Sequence, residues 1–204
     1  MSSAGSSPPN RARTLQRESR VRDVLAKRQK DLTLVLNNIH DPHNVAAILR
    51  SCDAFGVPKV HLLYTSEAFP AMGRRASASA RKWVDREHHT QPQQLASHLQ
   101  NQHMRILATS CSPTALPLPQ WDFTSPTAIV LGNEHRGVEP ALQPNIDGEL
   151  FIPMQGMVRS FNVSVAAAII LYEAWRQRSH QGLYAQPSYS AQEMEEIYQT
   201  WIQK

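Results

Sequence analysis

Three short stretches carry the residue types that could do chemistry. The first runs from Asn44 to Arg50: an amide near the start of a helical pattern and, on the side facing away from its apolar stripe, a guanidinium among Ala46, Ala47 and Ala54. The second, Gly132 to Gly137, reads Gly-Asn-Glu-His-Arg-Gly and follows an apolar run directly. The third, Ile152 to Asn162, reads Ile-Pro-Met-Gln-Gly-Met-Val-Arg-Ser-Phe-Asn and leads into a long apolar segment. Glycines let a backbone turn sharply. Amides and hydroxyls orient polar ligand groups, and an arginine, protonated at every working pH, suits an anion or a developing negative charge. An arginine set in alanines implies that something approaches that face closely, or else is simply solvated. Ser160 and Asn162 stand where a helix must begin, and their side chains can take up its free N–H groups. Read alone, that stretch is equally a core helix with an ordinary cap or a helix start that lines a site.

Other common ligand-binding and catalytic signatures are missing. No GxGxxG follows the first strand and no GxxxxGK[ST] occurs, so the ordinary dinucleotide and P-loop readings lose their support. No GxSxG elbow marks a hydrolase. His40 and His43, and His88 and His89, have no matching carboxylates or cysteines at ligand spacing, so no metal is expected. Cys52 and Cys111 have no CxxC spacing and read as reduced thiols of a cytoplasmic protein. The longest apolar run, Val163 to Tyr172, is interrupted by Ser164 and is too short for a bilayer.

Three strand ends must bring these stretches together. Leu32–Leu36, Lys59–Tyr64, Trp83–Glu87, Arg105–Thr109, Thr127–Leu131 and Leu150–Ile152 read as strands. Helical patterns cover Asn44–Phe55, stopping at Gly56, then Pro92–Gln102, the segment from Val163 and Ala191–Ile202; a short helix is expected between Arg74 and Lys82. Val163 to Leu171 is so apolar that the helix should be buried on all sides. Strands alternating with helices make a largely parallel α/β sheet, and ligands of such sheets bind beyond the carboxyl ends of the strands.

The chain of 204 residues suits one sizeable domain with a small appendage. Residues 1–10, Ser/Pro-rich, are expected to form a disordered tail; 11–30 a basic helical arm; 31–180 the α/β domain; 181–204 a linker and last helix. The arm holds eight basic residues against two acidic ones, more than the net charge of +4 for the whole chain, and a thin stripe of Leu15, Val21, Val24 and Leu25 lays it on the domain. Such a local surplus favours a phosphate-binding arm over a merely solvated face.

In combination, order and spacing the three stretches resemble the TrmH family of SPOUT-type RNA 2′-O-ribose methyltransferases. The resemblance rests on His40 to Arg50 (His-Asp-Pro-His-Asn-Val-Ala-Ala-Ile-Leu-Arg), on Leu131 to Gly137 and on Ile152 to Ala166, with Leu171, Tyr172 and Glu173 beyond, and covers roughly residues 11–185. It implies an α/β sheet whose C-terminal part is threaded as a deep trefoil knot, a rare exception to unknotted topology, with flanking N- and C-terminal helices. It further implies S-adenosylmethionine as cofactor, a homodimer with the active site near the interface, and neither membrane nor metal. By resemblance, Thr109, Gly132, Ile152 and Phe161 fall at cofactor-contacting positions. Asn44, Arg50, Glu134, Ser160 and Asn162 fall at catalytic positions. Arg17, Arg20, Arg28, His43, Arg176 and Arg178 fall where members acting on tRNA use polar and basic groups. Phe161 stands where the family usually has leucine, and the C-terminal tail is shorter than in some members. The basic helix leading into Arg28 to Thr33 is similar to the branch that methylates guanosine 18 of the tRNA D-loop. A ribosomal RNA methyltransferase, or an RNA-binding relative without catalysis, is the alternative.

Overall fold

Strands that read as unbroken apolar runs are those covered on both faces, as in a parallel sheet between helical layers. The computed structural model, which describes residues 15–69, 82–133 and 136–204, has that arrangement. Among the described residues seven strands form one sheet: β1 (Leu32–Asn37), β2 (Lys59–Leu63), β3 (Asp85–His89), β4 (Arg105–Thr109), β5 (Leu116–Pro117), β6 (Thr127–Leu131) and β7 (Gly148–Phe151). Their order is β3-β2-β1-β6-β4-β7-β5, and every pairing is parallel. The helices are α1 (Leu15–Ala26), α2 (Pro42–Ala54), α3 (Pro92–Asn101), α4 (Val163–His180) and α5 (Ala191–Trp201).

Side chains alternate across the sheet. Leu32, Leu34 and Leu36 of β1, with Leu107, Ile129 and Leu131, join the core under α2 and α4. Val35, Ile106, Ala108, Ala128 and Val130 join the core under α3. On α2, Asp41 caps the first turn by accepting from the His43 backbone N–H, and Val45, Ile48, Leu49 and Cys52 turn inward. Gly56 (φ 80°) ends that helix in the left-handed region, as its position predicts. A third cluster joins α1 to α5 through Val21, Leu25, Tyr198, Trp201 and Ile202.

Several expectations need correction. β3 runs Asp85–His89, two residues later than Trp83–Glu87, because its register is set by β2, with Lys59 opposite Asp85. β7 ends at Phe151, and Ile152 lies just beyond it. Leu15 is 85% exposed and takes no part in the α1 stripe. Most telling, α4 is not buried all round: Val163, Ala167, Ile170, Leu171 and Ala174 pack inward, whereas Val165, Tyr172 and Trp175 are exposed. Of the alanines around Arg50, Ala46 is buried and Ala47 and Ala54 are exposed. The tail at 1–10, the start of the basic arm, most of the expected 74–82 helix and Glu134 lie outside the described residues.

Two arginines assigned to RNA instead hold the fold. Arg28 and Arg178 are both 0% exposed. Arg28 pairs with Asp53 at 2.5 Å and donates to the carbonyls of Asp53 and Val57. Arg178, near the end of α4, pairs with Asp31 Oδ1 at 2.6 Å and donates to Gln29 Oε1 and the carbonyl oxygens of Phe123 and Ser125. It latches α4 to the starts of β1 and β6. Removing one partner of such a pair leaves buried acceptors without a donor. Arg178→Met is expected to lower unfolding free energy by about 3 kcal/mol, toward the low end for a broken buried pair because Asp31 keeps some solvent contact. Urea denaturation followed by circular dichroism checks this; a loss near zero would show that the latch carries no stability.

Candidate active site

β4, β6 and β7 are neighbours whose carboxyl ends lie level: Ala108 pairs with Val130 and Thr109 with Leu150. Beyond those ends lies a cleft of about 620 Å³, within the range of small-molecule sites. Thr109 closes β4 and donates its hydroxyl to the Val130 carbonyl at 3.1 Å. Gly132 follows β6, Ile152 follows β7, and Ser160, Phe161, Val163 and Ala166 come from the approach to α4 and its first turn. All four residues assigned to cofactor contact therefore line one cleft.

Gly132 is there for space. A Cβ on it would lie 2.5 Å from the Gly137 carbonyl carbon, because the loop folds back so that Asn133 and Gly137 exchange both backbone hydrogen bonds at 2.9 Å. That loop is tied to the end of β1: Asn133 Nδ2 donates to the Asn38 carbonyl at 2.7 Å, and the Glu139 N–H donates to Asn37 Oδ1 at 2.6 Å. Gly132→Ala is expected to weaken ligand binding in the cleft by roughly tenfold or more, since the loop must shift to clear the methyl group; calorimetry with an analogue of the cofactor that the resemblance implies checks it, and unchanged affinity would show that this loop does not shape the cleft.

The catalytic positions divide. Asn162 caps α4, its Oδ1 accepting from the Ser164 N–H at 2.9 Å, and its Nδ2 donates to Asn44 Oδ1 at 3.1 Å. One amide pair thus joins the start of α4 to the first turn of α2. Ser160 lies in the cleft. Arg50 is exposed on α2 and is not among the residues that line the cleft. His43 and Arg20 are exposed, Arg17 is half-buried, and Arg176 is ion-paired with Glu173 at 2.7 Å. Arg22 and Lys30 of the basic segment hold α5 through Glu195 and Glu193. The arm's charge is thus partly spent inside the protein.

A model of the SpoU rRNA Methylase family matches residues 31–172, most of the chain. The chain belongs to the TrmH/SpoU family of SPOUT methyltransferases. The family member from Aquifex aeolicus described as tRNA (guanosine(18)-2'-O)-methyltransferase is 39% identical over 186 residues, 91% of this chain and 88% of that one. The crystal structure of the A. aeolicus TrmH/SpoU tRNA modifying enzyme superposes with a TM-score of 0.86 at 39% identity, covering 92% of this chain and 95% of that one. The SpoU methyltransferase AviRb from Streptomyces viridochromogenes, solved in complex with AdoMet, superposes with a TM-score of 0.67 at 26% identity, over 74% of this chain and 62% of that one.

In this SpoU-family cleft the sequence reading missed the polar wall. Ser110, Ser112, Gln143 and Glu149 line it. Glu149 accepts hydrogen bonds from Ser112 and Thr114, and the Ser112 hydroxyl is the main reason that its carboxyl is held below the usual carboxylate range. An anionic carboxylate beside a glycine-opened, partly apolar floor complements a cationic ligand with an apolar body. The donor set suits S-adenosylmethionine. Only the strand pairing identifies Glu149, because a glutamate within a strand carries no motif of its own.

Proposed function

We propose that this TrmH/SpoU-family chain is an S-adenosylmethionine-dependent tRNA 2′-O-ribose methyltransferase acting on guanosine 18 of the D-loop. The observation that carries the reading is the convergence of Thr109, Gly132, Ile152 and Phe161, from four segments, on one cleft at the sheet's carboxyl edge. Similarity to the A. aeolicus tRNA enzyme over nearly the whole chain favours the tRNA substrate.

When bound, the cofactor supplies an electrophilic methyl group. The protein's task is to hold a ribose 2′-oxygen in line with it and to stabilise the charge that this oxygen develops. Gly132 and Ile152 give the cleft a close backbone wall, and Ser160 offers a hydroxyl within it. The Asn44–Asn162 pair fixes α2 against α4, and so sets where Arg50 stands. Arg50 grips the phosphate next to the target ribose and stabilises the developing alkoxide; its guanidinium does not take the proton. Glu134, by family position, orients Arg50. Arg17, Arg20, His43 and Arg176 are the candidates for the RNA backbone.

The reading includes a homodimer with the site near its interface. Val165, Tyr172 and Trp175 expose an apolar, aromatic-rich face of α4, the kind of surface that packs against a second copy. It also includes a trefoil knot. The support is the family resemblance; the stretch between β4 and β6 also packs on α4, where Gln177 accepts from the Phe123 N–H and donates to the Trp121 carbonyl. No helix of the described residues is long and apolar enough to cross a membrane, which fits a cytoplasmic enzyme working on tRNA.

The test is methyl transfer from labelled S-adenosylmethionine to unmodified tRNA transcripts, with the modified nucleotide mapped. A 2′-O-methylguanosine in the D-loop is expected. Methylation of ribosomal RNA alone would keep the chemistry and overturn the substrate; no transfer to either, despite RNA binding, would overturn both.

A further inference from the structure

The face of the sheet under α3 carries a cluster that methyl transfer does not use. His61 on β2 stands beside Glu87 on β3, and Leu63 beside His89, so His61, Glu87 and His89 project to the same side. His61 Nδ1 lies 3.0 Å from His89 Nε2. His89 Nε2 lies 3.5 Å from Glu87 Oε1, and His98 Nε2, from α3, lies 3.7 Å from that same oxygen. One ligand-capable atom from each of His61, Glu87 and His89 falls within 4.8 Å of the other two. None of these residues lines the cofactor cleft.

Three of the separations approach the edges of a coordination polyhedron. A tetrahedral zinc site with bonds of about 2.0–2.2 Å has ligand–ligand edges of about 3.3–3.6 Å. The His61–His89, His89–Glu87 and His98–Glu87 separations of 3.0, 3.5 and 3.7 Å lie near that edge, and the ligand atoms of His61 and Glu87 lie within 4.8 Å of one another. Between two neutral imidazoles the 3.0 Å contact holds a single shared proton, which a cation can replace. His61 is buried, and a neutral imidazole is the form that ligates. Lys59 holds the other oxygen of Glu87 at 3.1 Å, orienting the carboxylate as outer partners of metal ligands do. Gln102 contacts His98 Nε2 at 2.9 Å and must release it for His98 to turn inward. His61 is buried, but Glu87 and His98 keep about a third of their side chains exposed, which leaves a way in.

We propose that His61, Glu87 and His89, completed by His98, bind one divalent transition-metal ion of the zinc class and so tie β2, the edge strand β3 and α3 together. Its role is structural, at the sheet edge away from the methyl-transfer cleft. The spacing hides it in the sequence: His61 lies 26 residues from its register partner Glu87, and only the parallel pairing of β2 with β3 closes that gap.

The experiment uses untagged full-length protein, stripped with a chelator and titrated with Zn²⁺ against a chromogenic competitor, and separately with Co²⁺. One equivalent of Zn²⁺, a rise in melting temperature and the strong visible absorption of tetrahedral Co²⁺ are expected. His89→Gln and His98→Ala should each weaken Zn²⁺ binding roughly tenfold or more while methyl transfer persists. If His89→Gln fails to fold, His98→Ala, which alters a half-exposed residue, carries the comparison. Loss in His89→Gln alone keeps a three-ligand site and removes His98 from it. No stoichiometric binding by the unmodified chain, or unchanged affinity in both variants, overturns the proposal.

Discussion

Replacing Arg50 with alanine is expected to reduce methyl transfer by on the order of 10²–10³-fold, the cost of removing a group that stabilises charge in the transition state. Stability should barely change, because Arg50 is exposed and its removal opens no cavity. Arg50→Lys is the sharper experiment. A lysine keeps the positive charge and loses the planar fork of donors. If Arg50 works by charge on the alkoxide and phosphate, the lysine variant keeps near-normal turnover while the alanine variant loses it. Single-turnover rates on D-loop transcripts separate the two cases. A lysine variant as inactive as the alanine one would count against charge stabilisation and for guanidinium-specific chemistry.

The second large effect concerns the outer face of α4. In the proposed homodimer, Tyr172→Glu together with Trp175→Glu is expected to leave a folded monomer with transfer reduced by about 10²-fold or more, because Arg50 is not among the residues lining the cleft and a misplaced group loses its positional advantage. Tyr172 and Trp175 stack at 5.5 Å, and Tyr172 meets the edge of Phe55 at 6.3 Å. A charge at each would make burial against a second copy costly, while the inward face with Ala167, Ile170 and Leu171 stays intact. Sedimentation velocity reads the mass and circular dichroism the fold. A variant that stays dimeric and active would place the interface elsewhere, and an active monomeric wild type would remove it altogether.

The central sheet is legible in the sequence because its strands are covered on both faces, which leaves largely apolar runs such as Leu32–Leu36 and Thr127–Leu131. β3, with Asp-Arg-Glu-His-His, carries no such signal; as an edge strand it is defined by β2, and the sequence pattern places it two residues too early. That a site lies beyond the strand ends is legible, since parallel sheets bind ligands past their carboxyl edges, while the individual cofactor positions come from the family resemblance. Glu149 is not, because its environment comes from Ser112 and Thr114 at the far end of a non-local pairing. Composition misleads for α4: its all-round apolarity suggests burial within one chain, but one face meets solvent. Arg28 and Arg178 mislead in the opposite sense. The family resemblance puts both on RNA, whereas both are buried and pair with carboxylates that keep about a third of their side chains exposed.

The place of β6 has a consequence for how the chain acquires its structure. β1 pairs with β6, so Leu32 must wait for Thr127, 95 residues later. Sheets built on such distant partners fold slowly, because loop-closure entropy is lost before contacts form. During synthesis the N-terminal half can pair β1 with β2 and β2 with β3, but one flank of β1 stays open until the sixth strand leaves the ribosome. The cleft comes later still, since its last wall is the approach to α4. A nascent chain therefore carries an unfinished, pairing-competent sheet for most of its translation, and cofactor affinity appears only near the end, which makes ligand binding a readout of completed folding.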